Sequence, residues 1–324
     1  MDSLFIVSSP FQALCANEAV YSFSEETPFY LVLDSNCGAN ALKRILPEDR
    51  ILAVVEEGRG MRHLLSALGM IDRRFDRIYV GDYFSYSQLI VESVLASYKA
   101  HVTFLDDGNS TLKLAPPVSA KRFAGFKKVL RALPFLFMEK IKFLKRRFFS
   151  IYDLNGLKLP VVKNRLEHLV SEFRAIPQKD IYIIGTNSSI LKFNKKDYKK
   201  YLSDIAAYSA LNFPGETVYY CPHRRDANDY SDLCHESGMQ VFNTEMSVEI
   251  DFSMKGIHPR MVIGFGSTAM LTLKLMFPDS ECVSISVWTS DNRINDSYRS
   301  VEAYLMKYGV NVVDDIDEKG IVTL

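Results

Sequence analysis

His101-Val-Thr-Phe-Leu-Asp-Asp-Gly108 sets an apolar run against two adjacent carboxylates and a glycine. The run reads as a buried strand, and the acids and glycine as the turn that follows it. A strand delivering acids straight into a glycine turn is how an open α/β sheet presents reactive groups at its ligand-binding edge. Adjacent carboxylates also oppose each other's ionisation, which can lift one of them toward the range useful to a general base. Asp and Gly favour turns on conformational grounds alone, so a solvated turn is the bland reading of Asp106 and Asp107.

Strand-like and helical runs alternate on both sides of this stretch. Strands are expected over 4–7, 29–33, 51–55, 77–80 and 102–105, with helices over 10–23, 41–46, 61–70 and 85–98 between them. That βαβ rhythm predicts a parallel sheet with helices on both faces. The residues from Asp153 to Pro160 read as a boundary. A second series begins at Asp180, with strands over 181–184, 217–221, 240–242, 260–263 and 282–287. Helices are expected there over 196–210 and 266–276, and a last one over 297–308 can pack back on the domain junction. At 324 residues the chain is long for one core. The expectation is two domains, 1–155 and 156–324.

Composition is that of a globular protein, 48% hydrophobic and 24% charged. Five cysteines without Cys-x-x-Cys spacing read as buried thiols of a reducing compartment rather than a disulfide framework or a zinc site. No stretch approaches the roughly 20 apolar residues of a membrane span, and the chain enters a strand-like run without a basic leader. A cytoplasmic location is the expectation. The net charge of zero is unevenly spread: −5 over 1–117, +9 over 118–150 and −4 over the rest. In 118–150 ten cations interleave with seven phenylalanines. A basic helical segment of that kind suits peripheral contact with an anionic membrane. A helix face buried in its own domain, or a basic groove for an anionic substrate, are the alternatives. Nucleic acid is not expected, because the aromatics are all Phe and no binding module is visible.

Two further constellations carry chemistry. Tyr219-Tyr-Cys-Pro-His-Arg-Arg-Asp226 places His223 just after a strand, with Arg224 beside it. A histidine there can hydrogen-bond a phosphate or protonate a leaving oxygen, and arginine adds fixed positive charge. Ile263-Gly-Phe-Gly-Ser-Thr-Ala269 runs a strand into Gly266 and then opens a helix with Ser267 and Thr268. Such hydroxyls cap helices, and they also stand beside unpaired N–H groups that attract an anion.

Asp106-Asp107-Gly108, Pro222-His223-Arg224 and Gly266-Ser267-Thr268, in that order, resemble the three motifs of bacterial GT-B sialyltransferases. With Ser8-Ser-Pro-Phe-Gln12 at the first strand–helix loop, the likeness is greatest to the lipooligosaccharide sialyltransferase family, related to the capsule polysialyltransferases. The resemblance implies two Rossmann-like domains with parallel sheets facing across a cleft. It implies that Asp107 is the base on the acceptor hydroxyl, with Asp106 as the fallback, and it puts Gln12 on the acceptor side. His223 would assist the departing phosphate of CMP. Gly185, Asn187, Arg224, Glu249, Gly266, Ser267 and Thr268 would line the donor, with Glu249 on the ribose hydroxyls. Two departures stand out: Arg224 follows His223 where the family has proline, and Thr186, Asn187 and Ser188 occupy positions where some members carry an acid. The His258-Pro259 dipeptide precedes a strand and ranks below His223.

The implied activity is inverting transfer of sialic acid, or a related nonulosonic acid, from CMP to a glycan hydroxyl of lipooligosaccharide or capsule. No metal and no cofactor beyond the CMP-activated donor are expected, and the acidic run Asp314–Asp317 reads as a solvated turn. The alternatives are a GT-B hexosyl- or heptosyltransferase using a UDP or GDP donor, and a non-catalytic membrane-associated subunit of polysaccharide assembly.

Overall fold

The computed structural model describes residues 2–34, 39–108, 111, 114, 145–154, 157–172, 176–186, 195–223, 226, 228–286, 292–317 and 320–322. The chain divides into two units, Met1–Val170 and Ser171–Leu324.

The first unit is wound around β1 (Asp2–Val7), whose Leu4, Phe5, Ile6 and Val7 are wholly buried. A strand covered on both faces needs an unbroken apolar run, and this one has it. The other strands are β2 (Thr27–Asp34), β3 (Ile51–Glu56), β4 (Phe75–Val80), β5 (Ala96–Phe104), β6 (Lys145–Ser150) and β7 (Val161–Lys163). They form one sheet in the order β3-β2-β1-β4-β5-β6-β7, parallel throughout. The helices are α1 (Pro10–Ser22), α2 (Ala39–Ile45), α3 (Met61–Gly69), α4 (Tyr86–Leu95) and α5 (Glu167–Glu172). Winding outward from β1 in both directions leaves a switch point between β1 and β4, where an open sheet forms a crevice at its carboxyl edge.

Three expectations need correction here. The helix expected over 85–98 stops at Leu95, and Ala96 already pairs with Phe75 as the start of β5. Ala96 and Ala100 are buried while Tyr98, Lys99 and His101 are exposed. Burial at i and i+4 with Tyr98 exposed between is the helical period, and the register shift between Phe75 and Arg77 is what lets the strand carry it. The basic segment expected to be helical over 118–150 ends in a strand, β6, and its residues 118–144 lie outside the described residues. Pleating sends the neighbouring cations of β6 to opposite faces. Arg146 reaches Glu92 of α4 at 2.8 Å, a carboxylate with no exposure. Arg147 donates to Thr103 Oγ1 at 3.0 Å and stacks 4.0 Å over the Phe23 ring. These two cations therefore serve the unit's own packing. The ladder continues from β6 to β7, with Phe148 N–H bonding Pro160 O and Asn164 N–H bonding Ser150 O. Val161–Lys163 thus belong to the first sheet, and the division falls at 170 rather than near 155.

The second unit repeats the plan. β9 (Ile181–Ile184), β10 (Val218–Cys221), β11 (Gln240–Val241), β13 (Met261–Gly264), β14 (Glu281–Ile285) and β15 (Asn311–Val313) form a parallel sheet ordered β11-β10-β9-β13-β14-β15. Its switch point lies between β9 and β13. A short pair, β8 (Ile176–Pro177) with β12 (Ile257–His258), stands apart. The helices are α6 (Lys195–Asn212), α7 (Ser231–Glu236), α8 (Val248–Met254), α9 (Thr268–Met276) and α10 (Asn292–Lys307). Within this unit α10 packs on α9 and β15.

The acidic run near the C-terminus is not a turn: β16 (Asp315–Asp317) pairs antiparallel with β17 (Gly320–Val322). Among the described residues no group of three His, Cys, Asp or Glu could hold a metal ion, and no helix is long and apolar enough to cross a membrane. Cys15, Cys221, Cys234 and Cys282 are buried free thiols.

Candidate functional site

In the first unit the two acids leave the end of β5 and part company. Asp106 has no exposure; its carboxylate accepts from Ser150 Oγ and from the Ile151 N–H, both at 2.6 Å. Burial pushes this acid up to about 7, against the opposing pull of those two hydrogen bonds. The elevated acid of the pair is thus raised by desolvation, not by its neighbour's charge. It is also sealed from any substrate, which removes Asp106 from the base role and makes it a tie between β5 and the end of β6.

Asp107 is half-buried at the edge. Its Oδ1 accepts from Gln12 Nε2 at 2.7 Å, and its N–H donates to Thr111 Oγ1 at 2.9 Å. Gln12, expected on the acceptor side, is 1% exposed. It lies on α1 as a brace of Asp107, with its carbonyl oxygen accepting from Ser8 N–H at 2.8 Å and from Gln88 Nε2 at 3.1 Å. These groups sit at the carboxyl ends of β1, β4 and β5, which is the switch point of the first sheet.

In the second unit Gly185, His223 and the 266–268 turn follow three adjacent strands, β9, β10 and β13. They therefore share the carboxyl edge of that sheet. A Cβ at Gly185 would stand 2.8 Å from Cys221 O and 3.0 Å from the His223 nitrogen, so the strand end packs directly on the histidine loop. His223 is half-buried, and its carbonyl accepts from the Asp226 N–H at 2.7 Å. Next to Gly185, Thr186 N–H bonds the buried Tyr198 hydroxyl at 3.1 Å. Burial holds that phenol above its ordinary range, so it stays neutral.

Gly266 has φ +53°, the left-handed region that favours glycine, and a Cβ there would meet the Tyr298 ring at 2.5 Å. Its N–H donates to Ser284 Oγ at 2.9 Å, so this amide is already spent. Ser267 is the N-cap of α9 and accepts from Ala269 N–H at 3.2 Å. A capping hydroxyl used as acceptor still has its own proton to donate. Thr268 is the first residue of α9, beside the positive end of the helix dipole.

Glu249 lies in the first turn of α8, 5% exposed, and α8 packs against α9. Asn187 and Arg224, two expected donor contacts, lie outside the described residues. His258 ends β12, and its ring rests 5.0 Å from that of Phe277. Gln88, Ser150, Ser284 and Tyr298 were not singled out from the sequence. Ser85-Tyr-Ser-Gln88 does carry the Ser-x-x-Gln pattern of a helix start, and that is the signal available for Gln88.

No family model and no curated protein sequence matches the chain. Solved structures do. An α/β-galactoside α-2,3-sialyltransferase from Photobacterium phosphoreum aligns over 96% of this chain and 98% of its own, with TM-score 0.58 and 10% identity. A Photobacterium 2,6-sialyltransferase in a complex with CMP and lactose aligns over 100% and 81%, with TM-score 0.56 and 10% identity. A UDP co-structure of Staphylococcus aureus MnaA aligns over 98% and 92%, with TM-score 0.52 and 9% identity. The fold is GT-B. At these identities the likeness covers the fold alone, and donor and acceptor are questions for the residues.

Proposed function

We propose that the protein is an inverting glycosyltransferase that moves sialic acid, or a related nonulosonic acid, from a CMP donor to a glycan hydroxyl of lipooligosaccharide or capsule. The observation that supports this is a division of labour between two switch-point edges. The first carries a carboxylate held by a buried amide, Gln12 to Asp107 at 2.7 Å. The second carries a histidine loop and a capped helix start.

In this reading the Asp107 carboxylate takes the proton of the acceptor hydroxyl as that oxygen bonds to the anomeric carbon. The bond to the CMP phosphate breaks with inversion, and the electron pair leaves on the phosphate oxygen. His223 hydrogen-bonds or protonates that oxygen, while the Ser267 hydroxyl and the N-terminus of α9 take up the growing negative charge. Groups that meet charge only as it develops raise kcat more than donor affinity. The buried Glu249 is assigned to the ribose hydroxyls, and Gly185 to a close backbone approach. No step calls for a metal, so activity is expected to survive EDTA. The membrane-contact proposal now concerns residues 118–144 only.

Similarity to a structure that holds UDP keeps one rival in view, a GT-B enzyme acting on a UDP donor. Thermal shift with CMP, UDP and GDP separates the two, since only a bound nucleotide raises Tm. Mass spectrometry of a labelled lactoside incubated with CMP-sialic acid then reads transfer. A Tm rise with UDP alone would sink the CMP assignment. Binding of no nucleotide at all, together with liposome capture, would favour a non-catalytic assembly subunit.

A further inference from the structure

Two helices of the first unit open with the same pattern, Ser9-Pro-Phe-Gln12 on α1 and Ser85-Tyr-Ser-Gln88 on α4. In each the serine caps its helix: Ser9 Oγ accepts from Gln12 N–H at 3.2 Å, and Ser85 Oγ from Gln88 N–H at 3.3 Å. In a Ser-x-x-Gln capping box the glutamine side chain turns back onto the cap's own N–H. Here both glutamine carbonyls turn to other main-chain N–H groups. Gln12 Oε1 accepts from the Ser8 N–H at 2.8 Å, and Gln88 Oε1 from the Asp82 N–H at 2.9 Å.

A main-chain N–H can only donate, so each of these bonds decides which end of the amide is oxygen. With Gln88 so oriented, its NH2 group points at Gln12 Oε1 (3.1 Å) and Ser8 Oγ (3.2 Å). With Gln12 oriented in turn, its NH2 group points at Asp107 Oδ1 (2.7 Å). The result is a one-way chain of donors, from the Asp82 amide through Gln88 and Gln12 to Asp107. Gln88 has no exposure and Gln12 has 1%, so no bulk water competes for these bonds. The end of β4 leaves room for the chain, since a Cβ at Gly81 would fall 2.2 Å from Gln12 Oε1.

We infer that Gln88 is a positioning residue for Asp107, acting through Gln12. Without Gln88 the Gln12 carbonyl keeps the Ser8 N–H but loses its donor from α4, so the amide is held from one side only and its NH2 group swings out of line with the Asp107 carboxylate. A carboxylate that loses a well-aimed donor turns away or takes a proton, and the base is lost without any substrate contact being touched. The inference rests on Asp107 being the acceptor base.

The test uses the full chain with Gln12→Met, Gln88→Met and the double variant. Gln88→Met should lower kcat about tenfold, the scale of one hydrogen bond to a charged group. The donor KM should stay within about twofold, and the acid limb of kcat/KM should move up by about one pH unit, because a lost donor disfavours the ionised base. In the Gln12→Met background the second substitution should add nothing. Losses that multiply in the double variant, or an unmoved acid limb, overturn the inference. An inactive wild-type protein would refute the transferase reading instead, and the relay is then read by NMR. The Gln12 side-chain NH2 protons should exchange with solvent at least about tenfold faster in Gln88→Met, and equal exchange overturns the inference. If Gln88→Met does not fold, Gln88→Glu, which keeps the acceptor for the Asp82 N–H, carries the same comparisons.

Discussion

Replacing Asp106 by asparagine should change how stability depends on pH while sparing turnover. The carboxyl is wholly buried between β5 and the end of β6, and burial raises it from 3.8 to about 7. An acid raised on folding contributes stability that is fully present below its unfolded value and is lost as pH climbs through the folded one. The interval from 3.8 to about 7, at 1.36 kcal/mol per pH unit, amounts to about 4 kcal/mol. Asparagine keeps the shape and cannot ionise. Its oxygen can still accept from the Ile151 N–H, and its amide can donate to Ser150 Oγ once that hydroxyl rotates, at a pH-independent cost of about 1 kcal/mol. The unfolding free energy of wild type minus that of Asp106→Asn should therefore fall by about 4 kcal/mol between pH 4 and pH 8. Urea titrations followed by far-UV circular dichroism at half-unit pH steps measure the difference directly. A difference that stays flat within about 1 kcal/mol over that range would refute the argument. On the proposed function, turnover by the variant at pH 7 should remain within about tenfold of wild type, because the tie is kept and the proposed base is Asp107.

Asp107→Ala should cut kcat by about a thousandfold, the scale of a lost general base, while the CMP-induced rise in Tm is retained. Retained turnover would remove Asp107 from its role. Ser267→Ala removes the cap of α9 and should lower stability by about 1 kcal/mol, with a larger proportional loss in kcat than in CMP affinity. Equal losses in both would place the hydroxyl in ground-state binding instead. Gly266→Val meets both the left-handed backbone and the Tyr298 ring, and should destabilise the second unit by at least about 2 kcal/mol, read as the shift in urea midpoint.

The inner strands were legible because burial on both faces demands long apolar runs, as in Leu4–Val7 and Ile181–Ile184. The helix starts were legible because serine caps announce them, as Ser267 does. Lys145–Ser150 was not. Its charges suit a solvated helix face until Glu92 and Phe23 are known to lie on either side of the strand. The reach of β5 back to Ala96 was hidden because Ala96 and Ala100 are spaced as on a helix, and the strand accommodates them through an irregular register. At the candidate site, the Asp-Asp-Gly motif placed its acids at the carboxyl edge of the first sheet but could not rank them. Which of them turns inward depends on the pleat of β5 and on β6 lying beside it, a pairing made across some forty residues of sequence. Gln88 was hidden for a related reason: a capping pattern locates the start of a helix, but where the glutamine's amide goes depends on β1 and β4 being neighbours.

Each sheet is wound outward from its own inner strand, so each set of reactive loops is specified by one contiguous half of the chain. Inheritance can act on such halves as separate cassettes. On the proposed function, drift that retunes which activated sugar is accepted need not disturb the residues that choose its recipient, and recombination near residue 170 would exchange one preference while conserving the other.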